Sequence, residues 1–441
     1  MMHDALGNAL TGASTAGVAH YETALRQFQC YVQDPAATVD QAIAAAPEMV
    51  MAHVLKAYLH LLGTEPEAIP VARECHRAAT RLAATPRERA HVRAIGELCY
   101  GRWHAAGMTL EDIAIEHPRD VLALQAGHLV DFYTGSSRML RDRIARALPA
   151  WSAGMPHHHA VLGMYAFGLE ETGDYAAAER QGRLAVEAEP RDGWAWHAVA
   201  HVMEMQGRHD EGIAWLGETP HVWSDESFFA VHIWWHLALY HLELGDVDRV
   251  LALFDGPVHG ARSPVVLDMI DASALLWRLN LMGVDVGDRW QTVADGWEPL
   301  AAAGTYAFND VHAAMAFAGA GRAAALNRLL TAQAMALEGA GDNVAFTCEV
   351  GQPMTRAIIA FTAGDHGEVV RLLRRIRPVA NRFGGSHAQR DLVDLTLIEA
   401  ACRSGQLPLA RALAAERVAL KPASPLARMY AARSEAVAEA A

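Results

Sequence analysis

Apolar residues run along this chain in Ala- and Leu-rich stretches, and the alternation of Val, Ile, Thr and Tyr with polar residues that marks strands is missing. Alanine and straight-chain residues favour helix, so the pattern predicts helices throughout and no strand. The clearest stretch, His159 to Asp192, reads HAVLGMYAFGLEETGDYAAAERQGRLAVEAEPRD. It predicts two antiparallel helices, with Ala166 at their close contact, Gly173 at the turn and Tyr175 after it. Ala178 and Ala185 then lie in the second helix, and Pro190 stops it.

Gly173 belongs to a series. Gly63, Gly101, Gly135, Gly173, Gly207, Gly245, Gly283, Gly321, Gly364 and Gly405 follow one another at steps of 38, 34, 38, 34, 38, 38, 38, 43 and 41 residues. A helix that ends in the left-handed region favours glycine there, so each is read as the turn of a helix hairpin. Gly135 and Gly283 are the weakest members. Five residues on, a small or apolar side chain should face the partner helix. Ala68, Ala106, Ala178, Val250, Leu326, Val369 and Ala410 comply, Gly212 is tolerated and Asp288 departs. Pro118, Pro190 and Pro422 fit stops after second helices. The period, turn glycine and closing proline resemble the tetratricopeptide unit of about 34 residues. The expected fold is all-α: a tetratricopeptide-like α-solenoid of about ten hairpins, a right-handed superhelix over residues 49–441 as a single domain. Helices in residues 1–48 cap it, one near Ala19 to Gln33.

Charge narrows the function. A formal net charge of −14 opposes a phosphate-binding surface, so no nucleic-acid partner is expected. The basic run Arg371, Arg374, Arg375 and Arg377 has helical spacing and reads as a solvated face. Cys30, Cys75, Cys99, Cys348 and Cys402 are scattered and odd in number, which suits reduced thiols and a cytoplasmic location. No basic segment followed by an apolar core stands at Met1 to Leu10, and no apolar run reaches membrane-spanning length, so neither a secretory signal nor a membrane partner is expected.

Several strings carry a closer likeness: AHVLKAYLHLLGTE from Ala52, WHAVAHVMEMQGRHDEGIAWL from Trp196, HIWWHLALYHLELGD from His232, LDMIDASALLWRL from Leu267, FNDVHAAMAF from Phe308 and GGSHAQRD from Gly384. They resemble the tetratricopeptide repeat protein 38 family nearly end to end. The resemblance implies a helical repeat fold and supplies no activity or catalytic residue.

These strings hold more His, Asp, Asn and Arg than hairpin packing needs. His53, His91 and His197 occupy one position of the first helix, which in the resembled architecture faces the concave groove. On the helix from Gly193 that face carries Trp194, His197, His201 and Glu204. Steps of four and three residues align His197, His201 and Glu204, and His232 and His236 form a second such pair on a neighbouring first helix. This spacing suits chelation, yet neither pair is H-E-x-x-H, and two pairs do not make a site. Groove histidines hydrogen-bonded to adjacent helices are the preferred reading, so no metal is assigned and the cofactor is left unknown.

A metal-free pocket is the other reading, with His201, His232, His236, His197, His312 and His387 as acid–base groups beside Asp310. Its companions are Asp268, Asp271, Asn309, Gln389, Arg390 and Asp391, with Arg390 suited to a carboxylate. Helix capping by Asn309 or Asp310, and an inter-helix bridge from Arg390 to Asp391 or Asp394, are equally good accounts. Trp194, Trp196, Trp215, Trp223, Trp234 and Trp235 crowd the same segment. Core packing explains Trp196, and Trp194 and Trp235 are the candidate ligand walls. His157, His158 and His159 read as a polar helix entry. Two functions follow. One is a His/Asp/Arg/Trp-lined pocket that binds a small polar molecule, with its chemical transformation left open. The other is an adaptor holding a peptide or partner protein in the groove; a tail-clamping adaptor is disfavoured because Lys56 and Lys421 are the only lysines. A homodimer is compatible with either.

Overall fold

The computed structural model describes residues 1–439 and divides into two compact units. Unit 1 is Met1–Val199 with Thr219–Ala230, and unit 2 is Ala200–Glu218 with the chain from Val231 onward.

Unit 1 is built of helix hairpins. α1 (Thr15–Cys30) pairs with α2 (Pro35–Ala45), α3 (Val50–Leu61) with α4 (Ile69–Thr80), α5 (Pro86–Cys99) with α6 (Trp103–Glu116), α7 (Val121–Tyr133) with α8 (Ser137–Ala147), and α9 (His158–Glu170) with α10 (Tyr175–Ala188). The unit boundary falls inside α11 (Gly193–Met205), and α13 (Pro220–Ser224) belongs to the later segment of unit 1. Unit 2 continues the pattern with α12 (His209–Gly217), then α14 (Ala230–Glu243) and α15 (Val247–Leu253), α16 (Val266–Leu281) and α17 (Arg289–Trp297), and α18 (Ala307–Gly319) and α19 (Ala323–Leu337). After the short α20 (Asn343–Phe346) come α21 (Gln352–Thr362) and α22 (His366–Ile376), α23 (His387–Arg403) and α24 (Leu407–Leu420), and α25 (Pro425–Glu439). This is the all-α, tetratricopeptide-like hairpin repeat expected. The only paired strands among the described residues, Met2–His3 and Ala9–Leu10, are too short to leave a periodicity.

The glycine series locates the turns. Nine of its ten members have positive φ, Gly135 (66°) and Gly283 (77°) included; Gly63 does not, because Thr64 takes φ 60° in its place. Asp174, Asp246 and Asp365, each directly after a turn glycine, then cap α10, α15 and α22 by accepting from the backbone N–H three residues on. α6, α10 and α24 end two residues before Pro118, Pro190 and Pro422. At Gly173, φ is 85° and an added Cβ would meet nothing within 4 Å, so the cost of a side chain there is purely conformational. Gly173→Ala is therefore expected to destabilise unit 1 by about 1–2 kcal/mol and Gly63→Ala to be nearly neutral, a contrast that chemical denaturation of the two variants measures.

Three expectations shift in register. The N-terminal helix lies earlier than Ala19 to Gln33, stopped by left-handed Tyr31 (φ 58°) and Gln33 (φ 59°). Ala68 sits in a 3-10 turn ahead of α4, where Ala72 is the buried contact. Asp288 precedes α17 instead of lying within it, and Ala325 and Leu329 are buried on α19 while Leu326 is half-exposed.

Within unit 2 the hairpins do not only touch their neighbours. α16 packs against α18 and also against α23. Trp277 Nε1 donates to Thr396 Oγ1 at 2.9 Å and Arg278 Nη2 donates to the Ala388 carbonyl at 2.5 Å. The beginning and end of the unit also meet, because Ser424 Oγ donates to Glu243 Oε2 at 2.6 Å and Lys421 Nζ lies 3.8 Å from Glu204 Oε1. The first helices thus close around a common centre. Unit 1 closes similarly: α1 reaches the last hairpin through Arg26 and Glu189 (2.5 Å), and Gln29 accepts from His157 Nδ1 at 2.6 Å.

Candidate functional site

The centre of unit 2 is lined from three first helices. α11 supplies His201 and Glu204, α14 supplies His232 and His236, and α16 supplies Asp271 and Arg278. Helical spacing puts His232 directly one turn before His236, and Asp271 two turns before Arg278, so each helix turns a polar stripe inward while its other faces stay apolar. His201 and His236 are wholly buried, and His232 is 14% exposed. One ring nitrogen from each of His201, His232 and His236 lies within 4.8 Å of the others. The His201 and His236 rings are 4.4 Å apart, and the His232 and His236 rings 4.9 Å.

Two of the imidazoles are oriented by carboxylates. His232 Nδ1 lies 2.8 and 3.0 Å from the Asp271 oxygens, and His236 Nδ1 lies 3.0 Å from Glu204 Oε2. An ionised carboxylate only accepts, so the Nδ1 atoms donate, which in the neutral ring leaves the Nε2 lone pair as the reactive position. Burial pushes His201 and His236 well below the ordinary imidazole range; His236 and His232 lower His201 further, and His232 and Arg278 lower His236. Trp235 walls this group: it stacks on His232 (5.3 Å, 15°), the Arg278 guanidinium lies 5.2 Å from its ring centroid, and its buried Nε1 has no hydrogen-bond partner.

A charged layer adjoins the histidines. Asp391 of α23 accepts two bonds from Arg417 of α24, at 2.7 and 3.0 Å, and lies 4.0 Å from Lys421 Nζ. The Arg417 and Lys421 cations hold its carboxyl well below the usual range against the opposing effect of burial. Arg278 is buried, which lowers its guanidinium from the ordinary value; the Asp391 and Glu204 charges oppose that shift. It remains a cation at any working pH. With Glu204, Glu243, Leu281 and Tyr430 these groups line a cavity of about 20 Å³, room for a water molecule. Arg278, Arg417, Lys421 and Glu243 were not singled out from the sequence. Arg278 was legible as the residue two turns after Asp271; Lys421, one of two lysines, was conspicuous by rarity.

No protein-family profile matches the chain. Among solved structures it is similar to a chain of the APC/C hetero-tetramer Cut9-Hcn1, at 12% identity over 86% of this chain and 76% of that one, with a TM-score of 0.37. It is similar to a chain of the human IFIT1 dimer with m7Gppp-AAAA, at 14% identity over 95% and 94% of the two chains, with a TM-score of 0.43. Yeast Tom70 matches at 11% identity over 95% and 87%, with a TM-score of 0.32. No helix among the described residues is long and apolar enough to cross a membrane.

The remaining sequence-predicted residues divide. His387 opens α23, and its charge is felt by His201. Arg390 donates to the Gly385 carbonyl and lies 3.5 Å from His387 Nδ1. Gln389 completes a capping box with Ser386 at the start of α23, so its side-chain oxygen is engaged by the Ser386 N–H at 3.0 Å. Gly385 before it, at φ 85°, has no space for a side chain: a Cβ would stand 2.6 Å from Phe308. His312 Nδ1 donates to the Phe308 carbonyl at 2.8 Å, and burial pushes the imidazole down to about 4. Asp310 turns instead to Gln333 of α19 and does not join the histidines; burial pushes it up to about 7. Neither Asn309 nor Asp310 caps α18, whose cap position is Tyr306, and both are buried. Asp268 is half-buried, pushed up to about 6 by burial. Asp394 pairs with Arg377.

His197 and Trp194, on the first half of α11, belong to unit 1. Trp194 stacks on Tyr31 (5.6 Å, 15°) and packs edge-on to Phe167 (4.9 Å), and His197 stacks on Phe167 at 5.2 Å. Both are nearly fully buried in this aromatic cluster, which gives Trp194 a packing role and only a cavity of about 10 Å³ to face. His91 is fixed by Tyr58 (3.1 Å) and by Asp120 (3.0 Å), and His53 by the Pro47 carbonyl at 2.9 Å. α9 begins at His158, with His157 at the cap position, as a polar helix entry requires.

Proposed function

We propose that the protein is a helical-repeat binding protein whose ligand site is the closed polar centre of unit 2, taking a small polar molecule between the His201, His232 and His236 imidazoles and the Arg278 guanidinium. The observation that carries this reading is closure: α16 bonds to α23, and Glu204 and Glu243 meet Lys421 and Ser424, around ionisable groups that are buried. Buried charge is costly unless paired or used, and a simple scaffold has no need of it. An adaptor needs its groove-facing side chains accessible. Here His91, His201 and His236 are wholly buried, which favours the small-ligand reading over a peptide groove.

The kinship with the tetratricopeptide repeat protein 38 family is part of the same proposal. Its support is convergence: the resembling strings supply His201 and Glu204, His232 and His236, Asp271 and Arg278, and Asp391, which is most of this centre. The cavity beside Arg278 is about 20 Å³, room for one water, so a larger ligand enters only as the surrounding side chains give way. A thermal-shift panel of small carboxylates, phosphate esters and amines tests the reading. A ligand at a hundredfold excess over its Kd should add about 2.7 kcal/mol of stability, and Arg278→Met, once shown folded by circular dichroism, should lose that gain. If no compound stabilises the protein, and a stoichiometric protein partner instead co-purifies and is lost on changing groove residues, the adaptor reading takes its place.

A further inference from the structure

We propose that His201, His232 and His236 form a site for a divalent first-row transition metal of the zinc class, with Asp271 and Glu204 as the carboxylates that orient its ligands. The proposal rests on reading this centre as a binding site, and names its occupant. Three features carry it. The first is donor identity: imidazole nitrogens are the donors that zinc-class ions share, and hard cations such as calcium and magnesium prefer all-oxygen sites.

The second is geometry. Three nitrogens no more than 4.8 Å apart enclose a point about 2.8 Å from each at the widest, against about 2.0–2.1 Å for a zinc–nitrogen bond. Small rotations of the three rings close that gap. The third is the outer layer. A metal-bound histidine commonly donates its other N–H to a carboxylate, which fixes its tautomer and aims its lone pair. His232 and His236 do this through Nδ1, to Asp271 at 2.8 Å and to Glu204 at 3.0 Å. Helix spacing alone brings histidines together; it does not also give two of them carboxylates on the far side of the ring.

The partly exposed side of His232, 14% exposed, is the route by which the ion enters. The other cluster of metal-ligating groups, Cys30, His159 and Glu189 in unit 1, offers a single imidazole, and burial drives the Cys30 thiol far up, away from the thiolate that would bind.

The full chain, stripped with a chelator and dialysed into metal-free buffer, is titrated with Zn²⁺ and desalted, and bound metal is measured by mass spectrometry. Co²⁺ is titrated in parallel and read by its visible absorption. About one tightly held ion per chain is expected, with intense cobalt bands. His232→Ala and His236→Gln should each weaken binding at least tenfold, and Asp271→Asn by about 10–100-fold, while His53→Ala, at a histidine bonded to the Pro47 carbonyl in unit 1, leaves it unchanged. Circular dichroism of each variant separates lost binding from lost folding, and the partly exposed His232 gives the safer variant. The proposal is overturned if wild type takes up no Zn²⁺, or if His232→Ala and Asp271→Asn bind it as wild type does. Failure here with retained small-molecule stabilisation leaves the ligand reading standing; uptake of Zn²⁺ with no stabilising small molecule overturns that reading and leaves the metal site.

Discussion

Replacing Asp391 by Asn is expected to destabilise unit 2 by at most about 3–5 kcal/mol, because it removes the two-bond partner of a buried cation and leaves Arg417 only the Glu243 carboxylate at 3.8 Å. Arg417 is 6% exposed and Lys421 5%, so neither cation can turn to water when the carboxylate is lost. The double variant Asp391→Leu with Arg417→Met should recover much of the loss, since apolar pairs of similar volume often replace buried ion pairs without penalty. Hydrogen exchange of the α16 and α23 amides reads the effect where it occurs. A single variant whose amides exchange no faster than those of the double variant contradicts the account. The pH dependence has a definite sign. Asp391 is held below its ordinary value in the folded state, so its contribution is complete above the unfolded value near 3.9 and is lost as pH falls from there towards the folded value.

Asp310 gives the opposite sign. Burial on α18 pushes its carboxyl up to about 7 from 3.8, with only the Gln333 hydrogen bond pulling it back. Between these values the folded chain holds a proton that the unfolded chain has released, so stability falls as pH rises from about 4 to about 7 and is flat above. Asp310→Asn keeps the shape and removes the charge. It is expected to raise the melting temperature markedly at pH 8 and to change it little at pH 4, the difference amounting to at most about 4 kcal/mol at 1.36 kcal/mol per pKa unit. Equal shifts at both pH values would mean that Asp310 does not titrate in this window. This also bears on its candidacy as an acid–base group: a carboxyl near 7 suits that chemistry, but its hydrogen-bond partner is Gln333 and not one of the three histidines.

The hairpin repeat was legible because its signal is a backbone requirement. A turn in the left-handed region selects glycine wherever it occurs, so even the doubtful Gly135 and Gly283 mark real turns. Gly63 failed as a marker because Thr64 adopts that conformation one residue later, a substitution no spacing rule detects. The histidine stripes on α11 and α14 were legible for a similar reason, since four-residue spacing fixes a shared face. Asp271 and Glu204 could be listed as companions, but their bonds to particular ring nitrogens depend on how α11, α14 and α16 pack. Arg417 was hidden altogether, and so was the meeting of Lys421 with Glu204. In an open repeat array each hairpin touches its neighbours, and nothing in that rule brings α24 to Glu204, or α16 to Thr396. Trp194, a candidate ligand wall from the sequence, packs against Tyr31 and Phe167, contacts that its own helix spacing does not reveal.

The bond between Trp277 and Thr396 spans 119 residues, and that separation bears on how the chain matures. An open array of repeats can consolidate piece by piece as it leaves the ribosome. Here the histidine centre lacks its far wall until α23 and α24 have been synthesised, so α11, α14 and α16 must wait with charged side chains hydrated and apolar faces uncovered. Such distant pairings are slow to form and leave sticky intermediates meanwhile, which makes the last hairpins the step that commits unit 2 to its finished form.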